Sequence, residues 1–254
     1  MSERILTNKE KECIHNCYVE IQPTLIESIT NHCGCCDPYN GYEYVDMGEA
    51  GIWAKYPIGV SEWNSDSLNQ IKYFAWGETE GYTASQVGVD KIFDWSDYKW
   101  GDVYNHMTKY CSNSQYGKDG FTDDLTVLLP EDDACTVNMG GNWRMPTKEE
   151  FQTLYNLCNN KWVTDYNGVD GLNGRLFTLK TDESKQLFFP ASGNCGGGSV
   201  YNVGSDGRFY SSSLYVSKPC NGFYLYFNSV NGNPDNGVYR CYGYPVVGIL
   251  GTGQ

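Results

Sequence analysis

The stretch Gly140-Gly-Asn-Trp-Arg-Met-Pro-Thr-Lys-Glu-Glu-Phe-Gln-Thr-Leu-Tyr155 sets the frame for the whole chain. Thr147 followed three residues later by Glu150 is a capping box, in which hydroxyl and carboxylate each satisfy a free backbone donor at a helix start. Pro146 precedes it, and Phe151, Leu154, Tyr155 and Cys158 follow at helical spacing, so a helix with one apolar face begins at Thr147. A second helix is read just upstream. Pro130-Glu-Asp-Asp-Ala-Cys-Thr-Val137 opens with proline and three acidic residues, which suit the positive end of a helix dipole.

Working outward, residues 42–47, 51–56, 71–76, 187–189 and 223–227 read as strands, separated by long stretches of Gly, Asn, Asp and Ser. Asn-Gly pairs at 167, 173, 221, 231 and 236 read as tight turns. The expected fold class is α+β: a loop-rich domain with a small antiparallel sheet and two main helices. Residues 1–40 differ in texture, with a polar helix interrupted at Pro23, and are expected to form a small helical connector or attachment segment. Residues 41–254 form the main domain.

Composition narrows the function. The chain has 254 residues, 21 Tyr and 7 Trp, with aromatic residues at 15%, more ring surface than a disordered chain carries. A net charge of −13 with only 18 Lys plus Arg argues against nucleic acid as a partner, because backbone binding needs a positive surface that releases counterions. No apolar run is long enough to span a bilayer, so membrane insertion is not expected. The amino terminus lacks the apolar core of a secretory signal, which points to cytoplasmic production or release by lysis.

Eleven cysteines are scattered and odd in number, unlike an oxidised framework. Cys13, Cys17, Cys33, Cys35 and Cys36 cluster with His32, and thiolate with imidazole suits Zn. Their spacing matches no standard paired pattern. Reduced cysteines in a helical contact surface are the alternative, and no cofactor is assigned.

Six blocks then carry a resemblance. Tyr44-Val-Asp-Met-Gly-Glu-Ala-Gly-Ile-Trp-Ala54, Tyr73-Phe-Ala-Trp-Gly-Glu-Thr79, Leu129-Pro-Glu-Asp-Asp-Ala134, Gly140 to Thr147, Phe189-Pro-Ala-Ser-Gly193 and Gly207-Arg-Phe-Tyr-Ser-Ser-Ser213 resemble, in order, the Fibrobacter succinogenes major paralogous domain. That domain is common in gut Bacteroidetes and their phages. It is similar to the formylglycine-generating-enzyme branch of the C-type lectin fold, so the resemblance implies a C-type-lectin-like architecture over roughly residues 42–250.

The segment from Leu225 to Val247 resembles the variable region of proteins diversified by retroelements, where an error-prone reverse transcriptase replaces template adenines. Phe227, Asn228, Ser229, Pro234, Arg240, Gly243 and Val246 look fixed, and positions of unrelated chemistry alternate with them. Randomising both adenines of an AAC codon never yields Lys, Glu, Gln, Met or Trp. Those five types occur 46 times in the chain and not once between Pro219 and Gly253, where about six would fall at uniform composition. The variable region is therefore placed at about 220–247. The ligand-contacting residues it implies are Tyr224, Tyr226, Val230, Gly232, Asp235, Asn236, Gly237, Val238, Tyr239, Cys241, Tyr242 and Tyr244.

The resemblance implies a non-enzymatic binding protein that recognises a protein or glycan on a bacterial cell surface. It is expected in a phage tail tip, attached through residues 1–40, with self-association of that segment as a further option. A fixed-specificity adhesin or carbohydrate-binding module is the alternative. A copper oxidase would need paired cysteines, for which Cys195, Cys220 and Cys241 are candidates. His106 lacks a partner at catalytic spacing, and the acidic clusters Asp123-Asp124 and Glu131 to Asp133 lack a calcium-loop spacing. Charge also divides. Residues 187–254 hold Asp206 and Asp235 against Arg208, Lys218 and Arg240, leaving a nearly neutral, tyrosine-rich last quarter on an acidic remainder.

Overall fold

A computed structural model describes residues 39–251. The expected amino-terminal helix and the zinc candidates Cys13, Cys17, Cys33, Cys35 and Cys36 lie outside the described residues. The chain opens with β1 (Tyr44–Asp46), β2 (Ile52–Ala54), α1 (Ser67–Gln70) and β3 (Tyr73–Phe74). A long irregular stretch leads to α2 (Ala134–Met139), β4 (Trp143–Arg144) and α3 (Lys148–Leu157). Strands follow: β5 (Cys158–Val163), β6 (Gly174–Leu179), β7 (Asp182–Pro190), β8 (Asn194–Gly196), β9 (Ser199–Tyr201) and β10 (Asp206–Leu214). The last are β11 (Asn221–Asn228), β12 (Gly232–Tyr239), β13 (Tyr244–Pro245) and β14 (Ile249–Leu250).

The strands form several small antiparallel sheets, ordered β1-β2-β14-β4, β10-β11-β12, β13-β3, β5-β6-β7 and β8-β9. This mostly β architecture overturns the α+β expectation of a C-type-lectin-like domain with two main helices. The upstream helix is cut short for a local reason. Pro130–Asp132 forms a 3-10 turn, Asp133 becomes the cap by accepting from the Thr136 N–H at 2.9 Å, and Gly140 at φ 65° ends α2. The capping box of α3 forms as read, with Glu150 N–H donating to the Thr147 hydroxyl and Thr147 N–H to the Glu150 carboxylate. Cys158 starts β5 instead of extending the helix stripe.

The second reason is that stretches read as loop pair as strands around 187–189 and 223–227, the two pieces here that were read as strands. β5, β6 and β7 form a meander, and β10, β11 and β12 another. Four of the five Asn-Gly pairs, at 173, 221, 231 and 236, lie inside or at the start of strands. Their glycines serve close approach: a β-carbon on Gly222 would meet Trp76 at 2.6 Å, and one on Gly237 would meet the Tyr215 ring at 2.4 Å. The pairs at 167 and 231 do sit at turns.

Rings join the layers. Trp53 stacks on Phe151 at 5.5 Å, Phe177 and Phe209 meet Phe189 edge-on at 5.5 and 5.1 Å, and Phe227 stacks on Phe209. Each buried ring contributes about 1.5–3 kcal/mol by leaving water, and each pair about 0.5–1.5 more. The chain end closes the fold: Ile249 pairs with both Trp53 and Arg144, and Val246 and Val247 are buried. No helix among the described residues is long and apolar enough to cross a membrane.

Candidate functional site

The sheet β10-β11-β12 carries the segment singled out in the sequence. Alternation divides its side chains. Phe209, Leu225 and Phe227 enter the core, while Arg208 and Tyr210 share the opposite face with their cross-strand partners Tyr226 and Tyr224. Gly207 belongs to the core side because the Phe227 ring occupies the space where its β-carbon would stand.

On this second face, where Tyr210 is itself fully buried, the Arg208 guanidinium lies 5.6 Å from the Tyr226 ring centre and bonds the Asp206 carboxylate at 3.1 Å. Burial alone would lower the Arg208 pKa, but the facing Tyr244 and Tyr224 hydroxyls and Asp206 outweigh it and hold the cation. Tyr224 meets Tyr244 edge-on at 5.0 Å, and Tyr244 stacks on Tyr210 at 4.7 Å. Burial raises the Tyr224 and Tyr244 hydroxyls above the ordinary phenol range, so both stay protonated donors at neutral pH. Tyr239 meets Trp95 at 5.5 Å and Tyr242 at 6.0 Å, with the Lys218 ammonium over its ring.

The β11–β12 connection is the most exposed part. Asn228 shapes it: its side-chain oxygen accepts from Val230 N–H and Asn231 N–H, both at 2.8 Å, and its amide donates to the Tyr226 hydroxyl at 2.8 Å. Val230 at the tip is 78% exposed. Beyond it, β12 bulges between its pairings to Tyr226 and Tyr224, which turns Asp235 outward to meet Lys148 at 2.8 Å. Pro234 is buried in the same bulge, on an edge strand that needs no further donor.

Ten of the twelve residues read as ligand-contacting keep some access to solvent: Tyr224, Tyr226, Val230, Gly232, Asp235, Asn236, Gly237, Val238, Tyr239 and Tyr242. Cys241 and Tyr244 do not; each is 1% exposed, and both pack inside the hydrophobic clusters. They are corrected from contact residues to supports beneath the face. Chemical variety along the sequence gave no sign of their burial. Of the positions read as fixed, Phe227, Pro234, Arg240, Gly243 and Val246 are buried, Asn228 is half-buried and Ser229 is exposed. Reading the residues alone missed Arg208, Lys148 and Trp95 as neighbours. Arg208 was accessible to that reading, because Arg208, Phe209 and Tyr210 alternate as a strand would.

All six described cysteines are free and buried. Burial pushes up the thiols of Cys195, Cys220 and Cys241, which keeps them protonated and poor as nucleophiles or metal ligands. His106 is exposed and faces Asp102 at 2.8 Å. Asp123 accepts from the Tyr110 and Cys111 N–H groups, and Asp132 pairs with Lys109 and Tyr110. Among the described residues no group of three His, Cys, Asp or Glu is arranged to hold a metal. The face therefore offers stacking, hydrogen bonding and one guanidinium. Comparison with protein families, with curated proteins and with solved structures gives no match to the chain.

Proposed function

We propose that this chain is a non-enzymatic binding protein that presents the β11–β12 hairpin and the adjoining tyrosine face to a macromolecular target, and that a retroelement diversifies this surface. The observation that carries the reading is the agreement of chemistry with burial between residues 224 and 244. Phe227, Pro234, Arg240 and Gly243 are buried, while Val230 and Asp235 reach solvent and Tyr226, Tyr239 and Tyr242 are half-exposed. Substitution at the accessible positions leaves the core contacts in place, so affinity is re-sampled at small cost in stability. Tyrosine among Asn, Ser and Gly supplies rigid amphipathic contact area at low entropy cost.

The order of the six sequence blocks supports a target on a bacterial surface, protein or glycan, met from a phage tail tip. Labelled protein applied to intact gut Bacteroidetes cells tests this. Saturable binding to at least one strain is expected, lost in Tyr226→Ala and Val230→Asp while the unfolding midpoint stays within the parent's range. Equal binding by both variants contradicts the reading. Burial of Cys241 and Tyr244 favours a second reading, a binding module of fixed specificity, which the DNA beside the gene separates from the first.

A further inference from the structure

Among the described residues Arg175 is a cation without a counter-ion. It lies on β6, is 7% exposed, and no carboxylate among the described residues pairs with it. Its two terminal nitrogens donate to the Asn160 side-chain oxygen at 2.7 Å and to the Asn228 backbone carbonyl at 2.8 Å, and its Nε has no partner. Burying such a charge is unfavourable for stability alone. What the guanidinium holds is the residue from which the exposed hairpin departs, and Asn228 in turn holds the Val230 and Asn231 amides.

The other side of the hairpin is held by exclusion. A β-carbon on Gly232 would lie 2.0 Å from the Tyr155 hydroxyl and 3.0 Å from Arg175 Nη1, so a side chain there must displace the hairpin or both buried groups. Among the described residues the Tyr155 hydroxyl has no hydrogen bond of good geometry; it lies beside the Arg175 guanidinium, and its ring meets Phe177 at 5.1 Å.

We propose that Arg175 is the positioning residue of the recognition hairpin and that Arg175 and Tyr155 together close position 232 to diversification. This rests on reading the hairpin as a recognition element, and it changes that reading. Gly232 moves from the variable set to the frame, and the tip 229–231 becomes a unit whose height above the sheet is set from β6 and α3.

The test uses the full chain without ligand. Arg175→Met is expected to unfold cooperatively, with exchange at the Val230 and Asn231 amides about tenfold faster and exchange at Phe209 unchanged. Gly232→Ala is expected to lower the unfolding midpoint, and Tyr155→Phe, which removes the atom nearest the new methyl, to recover part of that loss in the double variant. Unchanged exchange in Arg175→Met overturns the positioning role. Gly232→Ala as stable as the parent, or no recovery in the double variant, overturns the steric closure. None of these readouts involves a target, so absence of binding to cells would retire the recognition reading separately.

Discussion

The Arg240 guanidinium lies 5.1 Å from the Trp76 ring centre, fully buried, and donates to the backbone carbonyls of Lys109 and Tyr110. One residue of the carboxy-terminal segment thereby ties the irregular stretch around 109–110 to the end of β12 in the β10-β11-β12 sheet. Tyr98 packs against the same cation at 5.4 Å. Replacing Arg240 with Met keeps the volume and strands two carbonyls. The expected cost is about 1–3 kcal/mol of unfolding free energy, read by chemical denaturation.

The difference in burial between Phe227 and Val230 gives a contrast between neighbours. Phe227→Ala empties a site walled by Phe209 and should cost about 3–5 kcal/mol. Val230→Asn, three residues on, should stay within about 0.5 kcal/mol of the parent. Denaturation curves of the two variants, compared at equal slope, check this.

Asp235 and Lys148 join the bulge of β12 to the start of α3 across solvent. Asp235→Asn should change stability by less than about 1 kcal/mol, because exposed ion pairs contribute little. Its effect should appear in salt dependence, the parent losing more than the variant between low and high ionic strength.

Acid should loosen the α3 end of the molecule first. Burial raises the Glu150 carboxyl, but the two-pronged bond from Arg144 and the Thr147 N–H lower it further, so its folded pKa lies below the ordinary value. A depressed carboxylate contributes stability that is fully present above the unfolded pKa, about 4.3, and is lost as pH falls through the folded one. The unfolding midpoint should therefore drop below about pH 4.3 in the parent and drop less in Glu150→Gln.

The part of this fold legible in the sequence was local. Thr147 and Glu150 announced α3 because a capping box is complete within four residues, and the strand readings around Tyr44, Trp53, Tyr73 and Phe223 rested on concentrated apolar side chains. Of the β5–β7 and β10–β12 meanders only 187–189 and 223–227 were legible; the rest was not, because Asn, Ser and Gly have low strand preference and are held in place by packing around Phe177, Phe209 and Phe227. The same applies to the site. Exposure of Val230 goes with its place beside the turn pair at 231, whereas that of Asp235 depends on the bulge of β12, burial of Tyr244 on Tyr210 and Tyr224, and burial of Cys241 on the cluster that also holds Phe93.

The most direct measurement is the sequence of this locus and its flanking DNA across many isolates. A reverse-transcriptase gene beside it is expected, with a near-copy of codons 220–247 differing only at adenines and substitutions gathered at Tyr224, Tyr226, Val230, Asp235, Asn236, Tyr239 and Tyr242. Phe227, Pro234, Arg240 and Gly243 should remain constant. No template copy nearby, or substitutions spread evenly over buried and exposed codons, would contradict it.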